Sequence, residues 1–309
     1  MDTIPDRATL ITCKICNNKA KYVFSMHNEH GEPPALDIFL CSYCGLLYVG
    51  NLIRDDQLVY AYGTLDTNKY YQEIAINTKN KVSRSLSDLR MLLDNCPDRP
   101  SVLDIGCGWG HFLGALSRKY PSVRAVGQEL LNEAASLCQA KGFKVFTCSL
   151  ENIPDKFCII VLLDVAEHLF YPNRTFAACY SLLKRDGYIY IHTPRRCCWD
   201  RLFLVLINIP ILGKFSRMWF RTRVNIFHLH LWTDKALKLS LKKAGFQLIY
   251  LKSEMEFSWN FNKYSEVYLG KIYHFSPLLV KIATGITRVL FIWLGTLKNK
   301  AICLGQKIE

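Results

Sequence analysis

Acidic residues are scarce in the last third of this 309-residue chain. Residues 195–309 carry 6 Asp and Glu against 19 Lys and Arg, whereas residues 1–194 carry 20 of each, so the net charge of +13 belongs to the last third. The chain also lacks internal repeats and low-complexity tracts. Its hydrophobic content of 50% and charged content of 21% are those of a folded protein, which excludes a disordered tail and a solenoid.

Long apolar runs are absent as well. No stretch reaches the roughly eighteen consecutive apolar residues that a membrane-spanning helix needs. The first residues, MDTIPDRATL, lack the basic start and apolar run of a signal peptide. We therefore expect a cytoplasmic protein, whose 13 cysteines are thiols and metal ligands rather than disulfides.

Four of the cysteines form two C-x-x-C pairs, Cys13 with Cys16 and Cys41 with Cys44. Two such pairs supply the four thiolates of a tetrahedral zinc site. Because four thiolates leave no open coordination position, the predicted zinc is structural. The alternatives are four buried cysteines without metal and a redox C-x-x-C, which fits less well because it is expected singly beside a βαβ unit.

A glycine-rich turn lies in the segment SVLDIGCGWGHF. A short apolar strand runs into Gly106, Gly108 and Gly110, and segments with strand and helix character then alternate up to residue 194. Such alternation predicts a parallel sheet with helices on both faces and a ligand at the carboxyl ends of the strands. A dinucleotide turn would have a further glycine where this chain has His111.

Two acids accompany the turn. Asp104 lies two residues before Gly106, and Glu129 ends the next predicted strand. An acid beside the turn repels a pyrophosphate but suits a ligand that carries an amino group and a sulfonium. The second acid can accept both hydroxyls of a ribose. The pattern therefore favours a cationic nucleoside over a dinucleotide.

Residues 101–194 resemble the core of class I S-adenosylmethionine-dependent methyltransferases. The resemblance continues beyond the glycines in LLDVAEHLF and in a later strand that ends with Thr-Pro. The segment HLHLWTDKALKLSLKKAGF resembles the next element in a branch that modifies sugars, lipid-linked glycans and quinones, and that often has a paired C-x-x-C head. This implies an α/β fold with a Rossmann-like seven-stranded sheet, a small N-terminal zinc ribbon and a helical insertion near the C-terminus.

The resemblance also implies which residues bind S-adenosylmethionine. Asp104 and the backbone at Gly106 and Gly108 would hold its methionine part. Glu129 would hold the ribose, and Asp164 would line the floor beneath the methyl group. The other expected contacts come from the glycine turn and from the turn after the third strand of the sheet: Cys107, Gly110, Ser149, Leu150 and Glu151.

Methyl transfer to a hydroxyl requires alignment and a base that removes the hydroxyl proton. The candidate bases are Glu167, His168, His192, His228 and His230. His228 and His230 alternate with apolar neighbours, so we expect both to face the mouth of the strand ends, and we favour His230 ahead of His168. For Glu167, His168, His228 and His230 the alternative is a purely structural role. No acid cluster in the sequence supports a metal-dependent mechanism.

Two apolar segments with basic flanks, residues 201–224 and 274–300, are too short to span a bilayer. Their Trp, Lys and Arg residues are typical of helices that lie on an anionic membrane surface. The alternatives are burial against the sheet or a second subunit, and binding to RNA. We rank RNA lower because runs such as LFLVLINIPIL suit lipid rather than phosphate.

The sequence thus predicts a zinc-ribbon-like head at 1–58, a helical lead-in at 59–99, a core at 100–253 with an apolar and basic insertion at 199–226, and a basic helical region with the last strand at 254–309. We expect an enzyme that O-methylates a sugar or lipid-linked glycan at the cytosolic face of a membrane. The alternatives are a quinone or RNA methyltransferase and a non-catalytic binding protein with this fold. No oligomeric state is predicted.

Overall fold

The computed structural model describes residues 9–26, 35–50, 67–94, 99–255 and 298–308, with single residues at 276, 278, 281 and 285. Most of the second apolar segment and of the predicted helical region from 254 onward lies outside the described residues, so those predictions remain expectations.

The described residues form strands and helices that alternate along most of the chain. The strands are β1 (Leu10–Thr12), β2 (Lys19–Met26), β3 (Leu36–Cys41), β4 (Leu47–Val49), β5 (Ser101–Ile105), β6 (Arg124–Gln128), β7 (Lys144–Phe146), β8 (Phe157–Leu163), β9 (Leu183–Pro194), β10 (His230–Leu231), β11 (Phe246–Glu254) and β12 (Lys300–Lys307). The helices are α1 (Thr67–Asp94), α2 (His111–Lys119), α3 (Asn132–Ala140), α4 (Pro172–Leu182), α5 (Cys198–Leu206), α6 (Pro210–Arg221) and α7 (Asp234–Lys243). Within this described part, no helix combines the length and the apolar character needed to cross a bilayer.

Seven strands form one large sheet in the order β11-β12-β9-β8-β5-β6-β7. The five strands from β5 to β9 are parallel to one another, whereas β12 runs antiparallel to both β9 and β11. The predicted Rossmann-like seven-stranded α/β fold is therefore confirmed, and the predicted last strand is β12.

Apolar side chains cover both faces of this sheet. β8, with the sequence FCIIVLL, is almost wholly buried, as expected of a central parallel strand. On α1, Val82, Leu86, Leu89 and Leu93 repeat at helical spacing and pack on one face of the sheet. The head and α7 contribute side chains to the core on the other face.

The cysteine-rich head forms a second sheet in the order β1-β2-β3-β4-β10. Its last member comes from the core, because His230 pairs with Tyr48 and Leu231 pairs with Leu47 in an antiparallel ladder. Apolar side chains of β2, β3 and β4 also pack against α6 and the segment that precedes β10. Main-chain pairing and a shared apolar cluster thus join the head to the core.

Core side chains also hold the main chain of both C-x-x-C turns. The Asn173 amide donates hydrogen bonds to the carbonyl oxygens of Lys14 and Ile15, at 3.0 and 3.1 Å. The Thr233 hydroxyl donates to the Cys44 carbonyl at 2.6 Å. Each turn is therefore positioned by a side chain of the core.

Helices α5 and α6 form a hairpin between β9 and β10. The buried Asp200 carboxylate of α5 accepts hydrogen bonds from Trp219 Nε1 at 2.7 Å and from Arg223 Nη2 at 3.0 Å. Burial opposes ionisation of Asp200, but the Arg223 guanidinium holds its pKa below the usual range. This buried ion pair fastens the two helices to each other.

Replacement of Asp200 by Ala is expected to lower the free energy of unfolding by about 3–5 kcal/mol, because the Arg223 guanidinium is left buried without its partner. Urea unfolding followed by circular dichroism measures the change. Arg185→Ala is the control: its pair with Asp186 is exposed at 3.9 Å, so a change of at most about 0.5 kcal/mol is expected. Equal stability of Asp200→Ala and the wild type would contradict the assigned role.

Candidate active site

The candidate site lies between the loops that follow β5 and β8. These strands are neighbours in the sheet, but the chain continues from β5 toward β6 on one side and from β8 toward β9 on the other. A crevice opens at the carboxyl ends of strands where the winding reverses in this way. The predicted glycine turn and the DVAEH segment form the two sides of this crevice.

Left-handed backbone conformations shape the glycine turn. Gly106, Gly108 and Gly110 have φ values of 64°, 51° and 72°, which side chains disfavour. A Cβ atom at Gly106 would lie 2.8 Å from Val165 Cγ2, and one at Gly110 would lie 2.6 Å from Cys138 Sγ. Glycine is therefore required here, both for the backbone conformation and for the space.

Glu129 closes the glycine turn from the end of β6. Its Oε2 accepts the Gly108 N–H at 3.0 Å, and its Oε1 accepts the Leu131 N–H at 2.9 Å. The Cys107 N–H donates to the Gln128 carbonyl at 3.0 Å, which ties the same turn to β6. The structure thus brings the second predicted acid into contact with the predicted turn.

Asp104, the first predicted acid, lies buried on β5 beneath the turn. Burial raises the pKa of its carboxyl well above the usual range, and the nearby Lys81 ammonium acts against this shift. A ligand with a positive charge at this place would stabilise the carboxylate. The acid, the turn and Glu129 together therefore fit a cationic nucleoside such as S-adenosylmethionine.

The turn after β7 contributes the remaining predicted cofactor residues. Ser149 precedes a single 3₁₀ turn that starts at Leu150, and the Leu150 side chain is buried. The Glu151 carboxylate accepts a hydrogen bond from Arg174 at 2.8 Å on the surface. Glu151 is therefore paired with Arg174, and its role in holding a cofactor stays a prediction.

Asp164, at the end of β8, is surrounded by positive charge. Its carboxylate contacts Lys81 Nζ at 2.6 Å, Lys300 Nζ at 2.7 Å and His192 Nδ1 at 2.9 Å. Burial opposes ionisation, but Lys300, Lys81 and His192 hold the pKa of Asp164 well below its usual range. Its φ of 56° is a strained conformation that a site can retain for function. Sequence reasoning missed both lysines, because no motif surrounds them.

Glu167, His168 and His228 meet in the segment after Asp164 and in the approach to β10. Donor atoms of the three side chains lie within 4.8 Å of one another, a grouping that the sequence did not reveal. The Glu167 Oε2 accepts the Thr193 hydroxyl at 2.8 Å, whereas Oε1 lies 4.0 Å from His168 Nε2. Burial raises the pKa of Glu167.

His168 has a defined tautomer. Its Nδ1 lies 2.7 Å from the Phe227 carbonyl oxygen, which can only accept, so Nδ1 carries a proton, and the neutral form of the ring has its electron pair on Nε2. The ring remains partly exposed, and it meets the His228 ring edge to face at a centroid distance of 5.0 Å. Burial and the neighbouring His168 lower the pKa of His228 to about 3, so that imidazole is neutral.

The expectation that His230 faces the mouth of the strand ends is wrong. His230 has no exposed surface, because it lies in the β4–β10 ladder and its ring stacks on Tyr48 at a centroid distance of 6.2 Å. Trp232 lies close on another side, at 5.7 Å. Burial lowers the pKa of His230 to about 3. This residue packs the junction of head and core and cannot meet an acceptor there.

The four cysteine sulfurs of the head lie within 4.8 Å of one another. Cys13 Sγ is 3.7 Å from Cys44 Sγ, and Cys16 Sγ is 3.4 Å from Cys41 Sγ. Zinc–sulfur bonds of about 2.3 Å place the sulfurs of a tetrahedron about 3.8 Å apart. The two C-x-x-C turns therefore fit the predicted structural metal.

Comparison with known proteins agrees with this geometry. The Methyltransferase domain family matches residues 78–251. The ubiquinone biosynthesis O-methyltransferase of Pseudomonas aeruginosa (strain LESB58) is 30% identical over 145 residues, which cover 44% of this chain and 62% of that protein. The enzyme of that name from Pseudomonas paraeruginosa is 29% identical over 125 residues, covering 38% and 54%. The chain thus spans somewhat less than two thirds of these relatives.

Among solved structures, the magnesium protoporphyrin IX methyltransferase from Synechocystis PCC 6803 with bound S-adenosylmethionine superposes with a TM-score of 0.51. The identity is 11%, over 84% of this chain and 99% of that one, so the likeness concerns the fold. The family match covers more than half of the chain and contains both loops of the crevice. This chain therefore belongs to the class I S-adenosylmethionine-dependent methyltransferases.

Proposed function

We propose that this enzyme transfers a methyl group from S-adenosylmethionine to a hydroxyl oxygen, and that the hydroxyl belongs to a sugar or lipid-linked glycan at the cytosolic face of a membrane. The observation that carries the proposal is His168 beside the crevice, with its Nε2 electron pair free and its ring partly exposed. A hydroxyl acceptor needs such a base, whereas an already anionic acceptor does not.

The donor side of the site supplies charge and shape. Bound S-adenosylmethionine would provide an electrophilic methyl group, with its positive charge near Asp104 and its ribose at Glu129. The left-handed backbone of Gly106 and Gly108 leaves room for a ligand to approach the turn closely. The contribution of these residues is to orient the donor, because in-line transfer depends chiefly on alignment.

The acceptor side supplies the base and its orientation. The Phe227 carbonyl fixes the His168 ring by accepting a hydrogen bond from its Nδ1–H, which directs Nε2 away from that carbonyl. Nε2 would take the hydroxyl proton as the oxygen–methyl bond forms and the methyl–sulfonium bond breaks, with a neutral thioether as the leaving group. The buried Glu167 carboxylate, 4.0 Å from Nε2, would stabilise the resulting imidazolium. His168 is therefore the base that we favour, in place of His230.

A phenolic quinone precursor is the second candidate acceptor. The observation in its favour is the name of the matched relatives, which are ubiquinone biosynthesis O-methyltransferases. The matched part covers 62% or less of each of those proteins, so the acceptor does not carry over with the match. Both candidates share a reacting hydroxyl.

We further propose that the four head cysteines bind one zinc ion with a structural role. The sulfur spacings support this, and so does the anchoring of both C-x-x-C turns by core side chains. Zinc would therefore stabilise β4 and, through the β4–β10 ladder, the segment that carries Phe227 and His228. Its four thiolates leave no position for a reactant.

Incubation with methyl-labelled S-adenosylmethionine and a bacterial membrane lipid extract tests the activity. We expect an O-methyl ether in the glycolipid fraction, and His168→Gln should lower its formation by about 10²–10⁴-fold while the Kd of S-adenosylmethionine stays unchanged. Ala177→Ser, on the exposed surface of α4, is the control and should keep the full rate.

Label in the prenylquinone fraction alone would select the second acceptor. A labelled nitrogen or carbon product, or full activity of His168→Gln, would contradict transfer to a hydroxyl with His168 as its base.

Elemental analysis tests the zinc proposal. One zinc ion per chain is expected, and Cys41→Ser should lose it together with several degrees of Tm, because the thiolate set and the β4–β10 ladder weaken together. Cys198→Ser is the matched control: this cysteine is exposed on α5, so zinc content and Tm should not change. Wild-type stability in a zinc-free protein would contradict the structural role.

A further inference from the structure

The α5–α6 hairpin presents an apolar outer surface. Five of the fifteen large apolar side chains that are exposed among the described residues lie within the fourteen residues 202–215. Val205 is the most exposed of them at 75%, and the others are 40–44% exposed: Leu202, Ile209, Leu212 and Phe215. Scattered apolar residues are normal on a surface, but a concentration of this kind marks an interaction site.

The inner surface of the hairpin is already occupied. Ile207 and Phe220 are buried in the apolar cluster that includes Phe24 and Ile38 of the head. The buried pair of Asp200 and Arg223 holds the base of the hairpin. The outer apolar side chains are therefore presented by a fixed scaffold.

The hairpin carries only positive charge on its outside. Residues 201–233 contain no Asp or Glu, and Arg201, Lys214 and Arg217 are exposed. On α6, Lys214 and Arg217 lie on one flank of the exposed surface, and Leu212 lies on the other. An apolar strip with a basic margin is the arrangement of a helix in the interface of an anionic bilayer.

We propose that the α5–α6 hairpin docks this enzyme on an anionic lipid bilayer, with the side chains of Leu202, Val205, Ile209 and Leu212 among the acyl chains and the basic residues against lipid phosphates. The positive charge of the hairpin favours an anionic bilayer over other partners for this surface. A two-fold contact with a second copy would bring the same basic surfaces together. Residues 256–298 of this chain carry 5 Lys and Arg against 2 Glu, so they too are positive.

The hairpin lies beside the acceptor side of the site. It follows β9, whose Thr193 donates to Glu167, and it precedes Phe227, whose carbonyl accepts from His168. A bilayer at the hairpin would therefore lie next to the residues that we assign to the acceptor. The link between this docking surface and a lipid-linked acceptor rests on the proposed function.

Flotation of the full-length protein with vesicles tests the docking surface. The vesicles are phosphatidylcholine alone or phosphatidylcholine with phosphatidylglycerol, each at low and at high salt. We expect binding to the anionic vesicles at low salt. The double variant Lys214→Gln/Arg217→Gln should bind about 30-fold more weakly, and Leu202→Ser/Val205→Ser at least about tenfold more weakly.

Matched controls carry the same changes elsewhere. Lys184→Gln/Arg185→Gln alters exposed charges on β9. Leu137→Ser/Ile249→Ser alters exposed apolar side chains on α3 and β11. Both control variants should bind vesicles as the wild type does. S-adenosylmethionine affinity, measured in parallel, should be unchanged in every variant, which separates this proposal from the methyltransferase function.

Three outcomes would overturn the proposal. The first is a wild-type protein that does not float with anionic vesicles. The second is equal flotation of the hairpin variants and the controls. The third is an effect of the hairpin variants on dimerisation in light scattering without an effect on flotation, which would assign the surface to a second copy.

Discussion

The loops after β5 and β8 leave neighbouring strands toward opposite edges of the sheet. The crevice between the two loops fixes the positions of the groups that would bind the methyl donor. Gly106 can follow β5 only because it is a glycine: its φ is positive and Val165, from the other loop, occupies the space of a Cβ. The two loops are therefore packed against each other. Asp104 lies on β5 beneath the turn, and Glu129 follows β6, which pairs with β5 in the sheet.

The acceptor side depends on the head as well as on the sheet. The Phe227 carbonyl orients His168, and Phe227 lies three residues before the strand that pairs with the head. Tyr48 of the head stacks on His230, directly beneath this segment. A structural metal in the head would thus support the orientation of the proposed base without touching a reactant.

Much of the fold and the donor side could be predicted from the sequence, because their signals are local. The glycine turn, Asp104 and Glu129 stand in strand register, and each C-x-x-C spacing brings two of the four clustered sulfurs together. The charge cluster at Asp164 could not be predicted. It joins Lys81 of α1, 83 positions away, to Lys300, 136 positions away, and neither lysine belongs to a motif. His230 was misplaced because alternation along a strand does not reveal that a second sheet covers it.

The central claim is that the buried acid and the glycine turn bind a cationic methyl donor. Calorimetric titration with S-adenosylmethionine, in buffers of different ionisation enthalpy, tests it most directly. Because the free protein holds the pKa of Asp104 well above its usual range, a cation must shift that carboxyl toward its ionised form. The account predicts one saturable site, proton release on binding at pH values near or below that raised pKa, affinity that falls as the pH drops through this range, and loss of the proton release in Asp104→Asn. Absence of saturable binding, or wild-type affinity and proton release in Asp104→Asn, would contradict it.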